Sequence, residues 1–297
     1  MSRATKYGIP SLRKDFPSDE ICLEYIFDSL HNRTCSCGGI YSIMREQVKK
    51  NIWRNTKKFQ CSKCRAKISP TAGTIFNKSD TPLTLWFQAI LIFSNAKSGI
   101  SSKQLADQLE VTYKCAWRIL SLIRRSLHQA GKISGIVESD QAYFGGKFTV
   151  RGDNRRWQQG RNRKALVIGA IERDGEARAR MIGHPGSLST QGFIRINVKE
   201  GSKLYTDSAP AFQCLEQDYN RHKVDHSKKE YVRGNIHVNN VETFWSHVKR
   251  SMRGTFKSVS KQHFQSYLDA FVWHRNNRHN GRERFASLLD ALLQPVG

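Results

Sequence analysis

The chain has 297 residues, 49 lysines and arginines against 25 acids, a formal net charge of +24, and a hydrophobic share of 38%. That apolar share supports a packed core and excludes a wholly disordered chain, and the length allows roughly two domains. A surplus of 24 positive charges calls for a polyanionic partner, with nucleic acid ahead of an anionic membrane surface.

No apolar run approaches the roughly 20 residues that span a bilayer, and Ala89–Phe93 is read as core. The N-terminal MSRATKYGIPSLRKDF has no apolar segment of the signal-peptide kind, so a reducing, cytoplasmic setting is expected. There, seven cysteines read as thiols or metal ligands rather than disulfides.

Residues 1–80 form a cysteine region. Cys35-Ser-Cys37 is followed, after 23 residues, by Cys61-Ser-Lys-Cys64. Two close pairs bring four soft ligands to one tetrahedral ion, which predicts a structural Zn²⁺ in a zinc ribbon on Cys35, Cys37, Cys61 and Cys64. The first pair is one residue short of the usual C-x-x-C, with Thr34 at the outer position, which leaves His31 or a strained Cys35 to complete the shell. Gly38-Gly39 lets the backbone turn under the metal. The alternative is a set of buried reduced thiols, the fate expected for Cys22, Cys115 and Cys214. Trp53, Phe59 and Trp86 read as core.

Residues 81–130 read as helical. Ser101–Leu109 predicts a short helix, Glu110-Val111-Thr112 a turn, and Tyr113–Arg125 a second helix with Thr112 as N-cap. That is a helix-turn-helix, with a plain helical hairpin as the alternative. The basic face of Lys114, Arg118, Arg124 and Arg125 favours DNA, with Lys114 and Arg118 as contacts. Glu110 stands where such a turn usually places glycine.

After a connector at Gln129–Gly135, residues 136–297 predict a mixed α/β domain. A strand over Ile136–Phe144 puts Glu138 and Asp140 on one face. The basic loop that follows carries Arg151, Arg155, Arg156, Arg161, Arg163 and Lys164 around Trp157, against the single acid Asp153. It is a solvated loop or, as favoured here, a DNA clamp, with Arg155, Arg156, Arg161 and Arg163 as the contacts. Ala165–Ile171 and Ala177–Ile182 predict a hairpin across Asp174-Gly175. Lys203–Asp207 ends a strand on an acid, and Ser208-Ala209-Pro210 opens a helix.

The segment from His237 to Arg250 predicts a helix with two stripes. Val241, Phe244, Trp245, Val248 and Met252 bury one face; Glu242, Ser246, Lys249 and Arg253 line the next. Two strand-borne aspartates and a helix-borne glutamate suit two Mg²⁺ (or Mn²⁺) ions, since hard cations take oxygen ligands and three unscreened carboxylates repel. Paired ions about 4 Å apart serve phosphoryl transfer. Lys249 would meet DNA phosphate near the cut, with Arg250 and Arg253 as further DNA contacts. His226 and His237 read as structural histidines. Trp273–Arg278 is expected to close the last helix onto the sheet with its cations outward.

The string His237–Arg250, continued by Met252–Phe256 and Val259–Phe264, resembles the ISXO-like insertion-sequence transposases, prokaryotic relatives of Merlin elements. Thr71–Phe76 with Pro82, Leu83 and Trp86, Tyr113–Arg118, and Asp140–Lys147 are similar to the same group. The resemblance covers about residues 20–290. It implies an RNase H-like DDE transposase with a zinc ribbon and helix-turn-helix, whose catalytic acids fall on Asp140, Asp207 and Glu242 and whose following lysine falls on Lys249. Some members use asparagine as third ligand, which keeps Asn239 as a minor candidate; Gln141 stands where an acid is common. The implied activity is recognition of terminal inverted repeats, cleavage of the element's ends and joining of the freed 3′-hydroxyls to target DNA. The implied protein is nucleoid-associated, oligomeric on DNA and without a membrane partner. Two other classes stand beside it: a catalytically silent, transposase-derived DNA-binding regulator, and a structure-selective nuclease using the same acids.

Overall fold

The computed structural model describes residues 7–49, 52–145, 164–224 and 234–294, except the side chains of residues 49, 52–55 and 282. The chain divides into two compact units, Met1–Leu127 with Asn280–Gly297, and His128–His279.

The first unit opens with α1 (Ile9–Asp15) and α2 (Asp19–Leu30), the latter capped by the Ser18 hydroxyl accepting from Ile21 N–H. A three-stranded antiparallel sheet follows: β1 (Tyr41–Lys49), β2 (Ile52–Cys61) and β3 (Lys67–Ile68). Three helices complete the run: α3 (Leu83–Asn95), α4 (Ser102–Leu109) and α5 (Tyr113–Arg125). α4 starts on a capping box in which Ser101 and Gln104 satisfy each other's N–H groups, and α5 starts on Thr112 accepting from Cys115 N–H at 3.2 Å. The turn between them takes a left-handed residue, and Glu110 supplies it without being glycine, at φ 54° and ψ 41°.

Trp86 and Phe87 of α3 are fully buried. The C-terminal helix Arg284–Leu293 packs on α3 and α2 through its Phe285, Leu288, Leu289 and Leu292 stripe. A helix drawn with the 136–297 region from the sequence thus belongs by its packing to the first unit.

The second unit is a five-stranded mixed sheet between two helical layers. Its strands are β4 (Ile136–Phe144), β5 (Ala165–Glu172), β6 (Ala177–Ile182), β7 (Lys203–Asp207) and β8 (Asn220–Val224), in the order β6-β5-β4-β7-β8. β4, β5 and β6 pair antiparallel; β7 and β8 join β4 in parallel. The expected hairpin across Asp174-Gly175 is present, with Asp174 at φ 60°. One sheet face packs on α6 (Ser187–Asn197) and a 3₁₀ turn (Pro210–Gln217) through Val137, Ile168, Leu204, Ile194 and Phe212. The other packs on α7 (Asn239–Ser251) and α8 (Lys261–Asn276) through Ala142, Phe144, Val167, Trp245 and Leu268. Strand alternation therefore assigns Glu138, Asp140, Ala142 and Phe144 to the α7 face.

The outer edge of β6 is covered by amide side chains. Asn276 Oδ1 accepts from Ala177 N–H, Gln129 Oε1 from Ala179 N–H, and Gln265 Oε1 from Met181 N–H, at 2.7–2.8 Å. Asn276 and Gln129 also donate to the carbonyls of Ala177 and Ala179.

Candidate functional site

The four cysteines close into one cluster. Cys35 Sγ lies 3.7 Å from Cys64 Sγ and Cys37 Sγ 3.5 Å from Cys61 Sγ, and all four sulfurs lie within 4.8 Å of one another. The short first pair suffices, and His31 is not part of the group. Two backbone features permit it: Gly38 takes φ +75°, and a Cβ on Gly39 would stand 2.5 Å from Cys61 Sγ. The Tyr41 hydroxyl donates to Cys35 Sγ at 3.4 Å, and with the Cys37 N–H it holds the Cys35 thiol down at about 6. Four converging thiols, one already biased toward thiolate, are compatible with a zinc ribbon. Of the other cysteines Cys22 is buried as expected, whereas Cys115 is half-buried and Cys214 exposed.

On α5 the outward face carries Lys114, Arg118 and Arg125. Arg124, expected among them, is turned inward: it is 2% exposed and donates to the Ile100 carbonyl at 3.4 Å, because it falls on the stripe of Ile119, Leu120 and Ile123. Tyr113 and Trp117 stand exposed beside Lys114 and Arg118. Their i, i+4 spacing off the apolar stripe is legible in the sequence.

The three acids come from three elements of the second unit. Asp140 lies inside β4, Asp207 ends the neighbouring parallel strand β7, and Glu242 sits in the first turn of α7. Asp140 and Asp207 are half-buried and Glu242 is exposed. Burial, then the negative charges of Asp207 and Glu242, push the Asp140 carboxyl up to about 6; the Gln141 N–H and Lys249 pull against that. Asp140 is thus in electrostatic range of Asp207, Glu242 and Lys249. Their oxygens do not all come within 4.8 Å of one another, a spacing met among the described residues only by the cysteines. The donor set itself favours a hard cation: a carboxyl that resists ionising between two other carboxylates gains from any positive charge placed there.

Beneath the acids lies a buried polar layer. Glu138, fully buried, pairs with Arg173 Nε at 2.8 Å and accepts from Asn240 N–H at 2.7 Å and Asn240 Nδ2 at 2.9 Å. Asp207 has its own support: Arg221 donates to its carbonyl at 3.1 Å and to Thr206 Oγ1 at 3.0 Å, and Asp207 Oδ1 accepts from Ala209 N–H. α7 approaches the sheet over Gly169, the residue of β5 paired with Asp140, where a Cβ would meet Trp245 Cζ2 at 2.6 Å.

Lys249 Nζ stands 5.8 Å from the Phe144 ring centre. It borders a cavity of about 760 Å³ ringed by Lys164, Arg253, Lys257 and Lys261 over Phe144 and Phe264, with no acid among the described residues of its lining. Arg250 is exposed, as is Asn239. Gln141 faces the opposite side of the sheet and donates to Thr190 Oγ1 at 2.6 Å. The segment Trp273–Arg278 ends α8, which packs on the sheet but is followed by the helix Arg284–Leu293; its Arg275 and Arg278 are half-buried, Arg278 donating to the Gly175 carbonyl at 3.2 Å, so the cations turn less outward than expected. The clamp residues Arg155, Arg156, Arg161 and Arg163, together with His226 and the side chain of Trp53, lie outside the described residues.

The family model of the ISXO2-like transposase domain matches residues 132–276, which span all three acids and Lys249. A protein of Halobacterium salinarum, described as an uncharacterized protein in transposable element ISH50, is 27% identical over 266 residues, covering 83% of this chain and 88% of its own. An uncharacterized transposase-like protein of Haemophilus influenzae is 31% identical over 85 residues, 28% of this chain and 68% of its own. Among solved structures, a Mos1 transposase paired-end complex with left transposon end aligns with 71% of this chain and 80% of that one, at 14% identity and a TM-score of 0.26. With the domain match and these relatives, the chain belongs to the ISXO2-like insertion-sequence transposases.

Proposed function

We propose that this protein is the transposase of its own insertion sequence, binding terminal inverted repeats and carrying out divalent-metal-dependent end cleavage and strand transfer on an RNase H-like domain. The observation that carries the reading is the convergence of Asp140, Asp207 and Glu242 from β4, β7 and α7, with Asp140 pushed up to about 6 by burial and by the other two charges. A mixed sheet flanked by helices on both faces supports the RNase H-like assignment.

Asp140, Asp207 and Glu242 would hold Mg²⁺ or Mn²⁺, two ions in this reading. Ions bound there supply charge stabilisation to phosphoryl transfer on DNA. The chain's own part is placement. β4 and β7 set two acids side by side, α7 brings the third over Gly169, and Lys249 offers a cation to a DNA phosphate next to Asp140. The ring of cations around the 760 Å³ cavity continues that track and favours a phosphodiester ligand. Upstream, residues 1–80 act as a zinc ribbon holding one structural Zn²⁺ on its four cysteines. Residues 81–130 act as the helix-turn-helix that reads the repeat, with α5 in the major groove. Two ends must be brought together, so the protein works as an oligomer on DNA. No helix among the described residues is long and apolar enough to cross a membrane, and a cytoplasmic, nucleoid-associated location fits the DNA partner.

Asp207→Asn tests the reading. DNA affinity by gel shift is expected to stay within about twofold, because phosphate contacts come mainly from Lys and Arg, while Mg²⁺-dependent cleavage of inverted-repeat ends disappears. Cleavage at the wild-type rate removes Asp207 from the site. Wild-type binding without any cleavage favours the silent regulator, and preference for four-way junctions over repeat ends favours the nuclease.

A further inference from the structure

Glu138 is a carboxylate with no access to solvent, which is costly unless its charge is matched. Its neighbours include a residue from each element that carries one of the three acids. It lies on β4 two residues before Asp140. Its backbone partner across the sheet is Tyr205 of β7, two residues before Asp207. Its hydrogen-bonding partner on α7 is Asn240, two residues before Glu242. Arg173 completes the layer: it pairs with Glu138, donates to the His237 carbonyl at 3.3 Å just ahead of α7, and stands 4.9 Å from the Tyr205 ring centre.

α7 has no side-chain cap of its own, since its N-cap is Val238. Glu138 Oε2 takes that place from 102 positions away, accepting the Asn240 N–H at the positively polarised end of the helix. His237 Nδ1 lies 3.4 Å from Glu138 Oε1 without forming a hydrogen bond.

We infer that Glu138 is a positioning residue: it sets the depth and rotation of the glutamate-bearing helix, and so where Glu242 stands against Asp140 and Asp207. The inference rests on the reading of those three acids as the ion-holding set. Glu138 is buried and one layer below them, so it touches neither DNA nor the reacting atoms. It acts by fixing one end of α7 with two hydrogen bonds while Arg173 ties the same carboxylate to the entry of α7 and to β7.

The test uses the full-length protein and measures Mn²⁺ affinity by electron paramagnetic resonance, alongside thermal melting and cleavage of inverted-repeat ends. Glu138→Gln keeps the shape and removes the charge; Asn240→Ala removes one of the two hydrogen bonds and spares the core. Glu138→Gln is expected to weaken Mn²⁺ binding by roughly 10- to 100-fold, the usual effect of losing a residue that orients metal ligands. Cleavage per folded molecule should fall in parallel and DNA affinity should not change; Asn240→Ala should shift both in the same direction by less. Folded Glu138→Gln protein with wild-type Mn²⁺ affinity overturns the inference, as does Asn240→Ala with wild-type affinity where Glu138→Gln fails to fold. Asp207→Asn, run in parallel, separates the two layers of argument. If it binds Mn²⁺ as the wild type does, the reading of the acids is wrong; if it loses the ion while Glu138→Gln keeps it, only the positioning role is wrong.

Discussion

Gly169 is a point where the glutamate helix rests on the sheet, and Gly169→Ala perturbs that contact most. An added Cβ would lie 2.6 Å from Trp245 Cζ2 and 2.9 Å from Cη2, both atoms of a nearly buried ring. Carbon atoms in contact prefer about 3.5–4.0 Å, so the indole must retreat by about 1 Å. It is hemmed in by Phe144 and Phe244 at centroid distances of 5.7 Å and 5.1 Å, so the retreat passes to α7. Overpacking of this kind costs about 1–3 kcal/mol, which for a unit of this size lowers the melting temperature by roughly 2–4 °C per kcal/mol. Glu242 sits three residues before Trp245 and moves with it. A displacement near 1 Å at a reacting group can cost about 100-fold in rate. Thermal melting and cleavage of repeat ends, with the rate normalised to folded protein, measure the two effects. A Gly169→Ala protein that melts and cuts like the wild type would show that Trp245 accommodates the methyl without moving the helix, and the account of how Glu242 is placed would be wrong.

Metal analysis of the purified protein should find about one zinc per chain, and Cys61→Ser with Cys64→Ser should lose it together with the fold of the β1–β3 sheet; unchanged circular dichroism in the metal-free variant would make the cluster dispensable. Asp269 gives a pH dependence of known sign. Burial raises its carboxyl to about 6 from an ordinary 3.8, against hydrogen bonds from Gln265 and Gln129 that pull it down. The folded protein then binds more protons than the unfolded chain between about pH 4 and 6, so stability falls as pH rises through that window, by on the order of 3 kcal/mol at most. Asp140 adds the same sign in metal-free protein. Asp269→Asn should flatten its share of the slope in urea titrations at pH 4.5 and 7, and an unchanged slope would refute the assignment.

What could be read before the structure was local. The helix Tyr113–Arg125 and its Thr112 cap follow from periodicity and capping chemistry, and the structure has both. Glu110 shows the limit of a residue-type rule, because the left-handed turn holds without glycine when both flanking helices demand it. Arg124 departs from the basic face expected for it because it is a cation on an otherwise apolar stripe, where its guanidinium donates to the Ile100 carbonyl. Closure of the C-x-C pair with Cys61 and Cys64 depended on Gly39 lying against Cys61 Sγ, a contact between distant positions. Glu138 was legible only as sharing a strand face with Asp140. Its ties to Asn240 and Arg173 join residues far apart along the chain, where periodicity carries no signal. Gly169 reads as an ordinary strand glycine until Trp245 is placed over it.

The row of amides along β6 has a consequence for assembly. Asn276, Gln129 and Gln265 meet the outward N–H groups of alternate residues as a sixth strand would, so a second copy finds no vacant ladder to extend on that side. Any self-association of the protein is thereby steered away from sheet extension at that border. Replacing those three amides by alanine leaves the N–H groups of Ala177, Ala179 and Met181 without these partners, and light scattering should show more self-association than in the wild type.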